Sequence, residues 1–117
     1  MEINKSGLWG EVYAARYLRD NGYDIIAGNY RCRMGEIDII AEKGGTTCFV
    51  EVKTRNENPM FRPMEAVDSG KQNRLRAAAE VYLREIKDEI RSEFDVIEVT
   101  LDENYKPVKI NHIKNAF

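Results

Sequence analysis

The sequence predicts a mixed α/β fold in which strands and helices alternate within one domain, on three observations. Gly44-Gly45 separates two β-branched, apolar runs, which is a strong short-range hairpin signal. Apolar residues recur at helical spacing over residues 5–20 and again over 69–90. Two later segments, 94–101 and 107–113, alternate as strands. The order is therefore helix, strand, hairpin, helix, strand, strand, with no repeat, low-complexity segment or linker between them. A chain of 117 residues suits one domain with one modest core, here spanning residues 1–117.

The first helix is expected over Lys5–Asp20, with Ser6 as its cap and Asn21-Gly22 as its stop. Leu8, Val12, Ala15 and Leu18 make its apolar stripe, and Glu11 falls inside that stripe. A carboxylate so placed is either a salt-bridged group at the margin or part of a site. Tyr23–Tyr30 follows as a short strand ending near Gly28-Asn29, with Arg31 and Arg33 in the next connection. The hairpin covers Gly35–Thr54. Residues 54–67 hold two of the three prolines without periodicity and read as a loop. The second helix is expected from Ser69 to Ile90, with Lys71, Leu75, Ala78, Ala79, Tyr82 and Ile86 on one face. Lys71 opens that face in the first turn, where a cation opposes the helix dipole; a solvent-exposed lysine explains it cheaply, and a phosphate- or site-facing one explains both the face and the unfavourable end.

Composition narrows the class. The chain is 43% hydrophobic and 32% charged, an ordinary balance for a folded soluble protein. It has no apolar run long enough to span a membrane and no signal-peptide pattern at its start, so a cytoplasmic location and no membrane partner are expected. Cys32 and Cys48 lack metal or disulfide spacing and read as reduced thiols. The net charge of −2 argues against a protein that coats nucleic acid non-specifically. Basic residues are nevertheless concentrated in the middle of the chain and acidic ones in its tail, which allows one positive face. His112, the single histidine, reads as structural.

The hairpin carries the chemistry. With Gly44-Gly45 as the turn, paired positions sum to 89, placing Ile40 opposite Phe49, Asp38 opposite Glu51 and Glu36 opposite Lys53. Two carboxylates facing one another repel, and a hard divalent cation with Lys53 beside it is the simplest compensation. A bulge would move Asp38 to the other face, whereas Glu51 and Lys53 stay together in any register. Fingerprints for nucleotide-binding loops and for serine or cysteine nucleophiles are absent. A carboxylate-rich strand face with a lysine suits Mg²⁺ or Mn²⁺ and phosphoryl chemistry, with Lys53 stabilising developing charge or helping to deprotonate a water.

Asp38 followed thirteen residues later by Glu51-Val52-Lys53 resembles the PD-(D/E)xK signature of restriction-endonuclease-like nucleases, with Ile37 in the place of the proline. Several stretches together resemble the YraN-like family: Gly35–Ala41, Phe49–Arg55, Lys71, Phe94-Asp-Val96 and His112–Phe117. This resemblance covers nearly the whole chain. It implies a restriction-endonuclease-like core, a mixed β-sheet flanked by two helices in α-β-β-β-α-β order. It also implies that Glu11 joins Asp38, Glu51 and Lys53 in the site, with Asp38, Glu51 and Glu11 toward the metal. The similar archaeal-type Holliday junction resolvases carry the same helix glutamate and work as dimers, so a homodimer is the corresponding expectation.

The resulting expectation is a Mg²⁺- or Mn²⁺-dependent nuclease acting on DNA, in preference to RNA, with branched or structured DNA as the natural substrate. Arg31, Arg33, Arg55 and Lys71 are its expected phosphate contacts. The alternative is a non-catalytic module of the same fold that binds nucleic acid or a protein. A third reading, a solvated sheet face in which Lys53 pairs with Glu36 or Glu51, assigns the cluster about 1 kcal/mol and no function.

Overall fold

The computed structural model describes residues 5–58, 69–86 and 90–117. Among these, helix α1 (Lys5–Asp20) leads into strands β1 (Asp24–Cys32), β2 (Gly35–Lys43) and β3 (Thr46–Asn56). Helix α2 (Ser69–Ile86) and strands β4 (Arg91–Leu101) and β5 (Pro107–Ile113) follow. The five strands form one sheet in the order β1-β2-β3-β4-β5. All neighbours are antiparallel except β3 and β4, which run parallel over their full lengths, from Thr46↔Arg91 to Asn56↔Leu101. A parallel pair needs a crossover, and α2 with its flanking segments supplies it.

The two helices cover opposite faces. Ala14 and Leu18 of α1 pack with Ile39, Ala41, Val50, Ile97 and Val99, while Leu75, Ala78 and Ala79 of α2 pack with Ile37, Ile40 and Phe49. Central strands covered on both sides lose simple alternation, which is why Asp95, Val96 and Ile97 are buried in succession. The arrangement is a mixed α/β architecture compatible with an α/β nuclease-like core.

Four local expectations need correction. The stripe that α1 buries is Gly10, Ala14 and Leu18 rather than Leu8, Val12, Ala15 and Leu18, and Leu8 is 56% exposed. A methyl group at Gly10 would collide with Thr54 Oγ1, so small residues let α1 lie close on β3 and set its rotation. Ser6 lies inside α1, not before it. β1 continues through Gly28-Asn29 to Cys32, so Arg31 belongs to the strand and only Arg33 to the turn. Thr54, Arg55 and Asn56 belong to β3, paired with β4; the rest of the expected loop from Pro59 onward lies outside the described residues. The second helix is described to Ile86, and its expected extension over 87–89 lies outside the described residues.

Candidate active site

The Gly44-Gly45 turn forms as expected, both glycines having positive φ (58° and 78°), and it fixes the hairpin register. Lys43↔Thr46 through Ile39↔Val50 obey the expected pairing. There the ladder stops. β2 stays paired to β1 as far as Cys32↔Gly35 but leaves β3, so that a fork opens between β2 and β3. The expected ladder pairs Asp38–Glu51 and Glu36–Lys53 are therefore not made, and Glu36 lies instead beside Arg31 at 3.3 Å.

Asp38 sits in the fork. Its carboxylate Oδ2 accepts the Val52 N–H at 2.8 Å, a donor that the interrupted ladder would otherwise leave unpaired. Side-chain alternation also fails here, since Ile37 and Ile40 face α2 whereas Ile39 and Ala41 face α1. Across from this step on β1, Asn29 takes a left-handed conformation (φ 52°), which asparagine tolerates better than most residues. Despite the lost pairing, the Asp38 carboxyl stays beside Glu51.

Burial and the Glu51 carboxylate beside it push the Asp38 carboxyl up to about 7, against the lowering effect of the Val52 N–H. Lys53, 4% exposed, has its Nζ 3.9 Å from Glu51 Oε1. Burial, then the neighbouring Lys71 ammonium, brings Lys53 down to about 8. Lys71 reaches in from the first turn of α2, with Nζ 3.4 Å from the same Glu51 oxygen. Glu11 enters from the α1 side: Asn29 Nδ2 donates to its Oε2 at 3.3 Å. Its pKa is raised by burial and by Glu36 and Glu51, with the Asn29 hydrogen bond acting in the opposite direction. The fork thus lets residues of both helical layers meet.

The structure brings Glu11, Asp38, Glu51, Lys53 and Lys71 together, but not all equally closely. Glu11, Asp38 and Glu51 do not offer three oxygens all within 4.8 Å of one another. The ligand-like pair is Asp38 and Glu51, with Glu11 one step outside. Arg55 is held by Glu98 at 3.1 Å and Arg31 by Glu36, while Arg33 is exposed in the β1–β2 turn. Asn29 joins the site without any sequence motif to announce it, its one trace being Gly28-Asn29 at the backbone bend.

Among the described residues a second set of metal-ligand atoms, from Cys48, Glu93 and Asp95, does lie within 4.8 Å. It occupies the α1 face. Both oxygens of the fully buried Asp95 already accept hydrogen bonds, from His112 Nε2 at 2.7 Å and the Asn115 N–H at 3.1 Å.

Residues 10–99 match the description "Uncharacterised protein family UPF0102". A UPF0102 protein of Alkaliphilus oremlandii is 48% identical over 97% of both chains. One from Caldicellulosiruptor saccharolyticus is 41% identical over the whole of both. A third, from Nocardia farcinica, is 46% identical over 95% of this chain and 87% of its own. The chain belongs to the UPF0102 family. This is the YraN-like family that the sequence resembles, and the match spans every residue of the fork from Glu11 to Lys71. Among the described residues no helix is long and apolar enough to cross a membrane.

The structure also accounts for two outlying stretches of that resemblance. Phe94-Asp-Val96 and His112–Phe117 lie on one another: Phe117 stacks on Phe94 with centroids 5.3 Å apart, and Asp95 binds His112 and Asn115. They anchor the end of the chain and stand apart from the fork.

Proposed function

We propose that this UPF0102 protein is a divalent-metal-dependent phosphodiesterase acting on DNA, with its reaction centre at the fork between β2 and β3. The observation that carries this reading is the Asp38–Glu51 pair, two adjacent carboxylates held together with the buried Lys53 beside them. No packing need calls for such a pair. Its repulsion and desolvation oppose folding, and a cation would relieve both.

The donor set suits Mg²⁺ or Mn²⁺: two carboxylates leave coordination positions for water and phosphate oxygen. A bound ion of this kind supplies Lewis acidity and lowers the pKa of a coordinated water. Asp38 and Glu51 would hold it, and the Val52 N–H fixes the Asp38 carboxylate in direction. Glu11, too far to complete a tight triad, would act through a water, oriented by Asn29. Lys53, with a pKa near 8, is mainly protonated at neutral pH and would meet negative charge developing on the attacked phosphate. Lys71 shares Glu51 with Lys53 and would take a neighbouring phosphate oxygen. Arg31, Arg33 and Arg55 would contact the backbone, Arg31 and Arg55 only by exchanging their present carboxylate partners. Because so small a domain offers little surface for reading sequence, branched or otherwise structured DNA is the proposed substrate, and a homodimer the proposed assembly on such a substrate.

The test is cleavage of labelled single-stranded, duplex, flap and four-way-junction DNA, and of RNA, with Mg²⁺ or Mn²⁺. Wild-type protein should cut at least one DNA substrate. Asp38→Asn and Lys53→Ala, purified identically, should lose roughly a hundredfold or more of that rate. Equal rates in all three proteins would sink the assignment, and binding without cleavage would leave a nucleic-acid-binding module on the same fold.

A further inference from the structure

Next to the carboxylate pair lies a cavity of about 400 Å³. Glu51 and Lys71 form its inner wall, Arg31 and Glu36 its β1–β2 end, and Arg74 its α2 side. Cys32 and Leu75 add an apolar lining. Gly35 makes the cavity's shape possible. A Cβ at Gly35 would lie 3.0 Å from the Arg74 carbonyl oxygen, so β2 begins directly against the backbone of α2.

The three cations around this space are not equivalent. Arg31 is matched by Glu36 at 3.3 Å and Lys71 by Glu51 at 3.4 Å. Arg74 has no carboxylate partner among the described residues, and it is exposed. The cavity therefore offers, among the described residues, a guanidinium without a carboxylate partner at its rim, a matched charge pair at each end, and apolar surface between them. A phosphate with an attached base fits that chemistry, the anion on Arg74 and the ring against Cys32 and Leu75. A cavity at the small end of ligand pockets, roughly 300–1,000 Å³, holds one nucleotide and not a duplex.

We propose that this cavity is the subsite for one unpaired nucleotide beside the phosphodiester to be cleaved, with Arg74 as its phosphate ligand. This inference rests on the nuclease reading for the meaning of the neighbouring fork, and it narrows the substrate to strands with an unpaired residue at the cut. The nucleotide must leave its stack to enter, which flaps, gaps and junction arms allow at low cost and continuous duplex does not.

Cys32 reports directly on occupancy. It lines the cavity, whereas Cys48 is buried and its thiol is pushed up to about 12, so native Cys48 resists alkylation. The experiment is the rate of Cys32 labelling by N-ethylmaleimide, without metal, in the presence of a short oligothymidylate or a blunt hairpin duplex. The oligothymidylate should slow labelling several-fold and the duplex should not. Arg74→Ala should abolish the protection, and Arg84→Ala, exposed farther along α2 beside Glu80, should retain it. An unprotected wild-type Cys32, equal protection by duplex, or full protection in Arg74→Ala would each overturn the proposal. Because labelling is read without metal, the two readings fail separately. Protection in a protein that never cuts sinks only the nuclease reading, and cleavage with Cys32 unprotected sinks only the subsite.

Discussion

Asp38 and Asp95 lie on the same sheet, Asp38 half-buried and Asp95 fully buried, and their carboxyl pKa values move in opposite directions. Burial raises both. At Asp95 the His112 imidazole, a hydrogen bond with Glu93 and the Asn115 N–H outweigh it, and the carboxyl ends below its usual range. At Asp38 the Val52 N–H and the Lys71 ammonium oppose burial, but Glu51 and Glu11 add to it, and the carboxyl rises to about 7. The first carboxylate is finished by the fold; the second is left with negative neighbours. A half-buried acid left mainly among negative neighbours is the kind of group a ligand completes.

The largest expected effect is a difference in sign. Asp95→Ala strips His112 and the Asn115 N–H of a buried acceptor and should cost about 3 kcal/mol or more in urea denaturation. Asp38→Asn can keep an acceptor for Val52 and removes the repulsion with Glu51, so it should stabilise the metal-free protein, by about 1–2 kcal/mol at pH 8. If Asp38→Asn proved as damaging as Asp95→Ala, the contrast between the two centres would collapse, and with it the case for a site at the fork.

A smaller effect depends on pH. Asp38 ionises near 3.8 when unfolded and near 7 when folded, so its charge opposes folding. The cost is absent below pH 4, grows as pH rises between those values, and is complete above about 7. The gap in melting temperature between Asp38→Asn and wild type should therefore be several degrees at pH 8 and close at pH 4. Millimolar Mn²⁺ at pH 8 should close it too, by raising the melting temperature of wild type alone. A gap that ignores both pH and metal would mean that the substitution acts by packing.

Much of this contrast was legible in the sequence, and its limits have physical causes. The Gly44-Gly45 turn fixes the register from Lys43↔Thr46 to Ile39↔Val50, which is enough to bring Asp38 near Glu51. Glu51 and Lys53 share a face by alternation alone. What periodicity could not supply is the fork, because a ladder that stops carries no signature in apolar spacing. Its one trace is Gly28-Asn29, which reads as the end of a strand and is a bend within it. The rotation of α1 departs from the apolar spacing for a related reason. Hydrophobic size favours Leu8 and Val12, whereas contact with β3 selects the smallest residues, Gly10 and Ala14. Asp95 and His112 carry no mark of pairing in the sequence, because seventeen residues separate them and strand register alone brings them together.

The finest test compares the outer partners of the two centres. Tyr17 OH lies 3.2 Å from His112 Nδ1, behind the imidazole that binds Asp95; Asn29 Nδ2 lies 3.3 Å from Glu11 Oε2, behind the fork. Tyr17→Phe removes a hydrogen bond from a group the fold depends on and should cost about 1 kcal/mol. Asn29→Gly removes a hydrogen bond of similar length, but glycine is at ease at φ 52°, so the backbone gain offsets the lost contact and stability should change little. Its consequence belongs to ligand binding instead. Without the Asn29 amide, Glu11 is freer to turn, and the Mn²⁺-induced rise in melting temperature should shrink while the metal-free value holds. Equal losses of stability in the two variants would show that Asn29 braces the fold as Tyr17 does, and Glu11 would then have no distinct place at the fork.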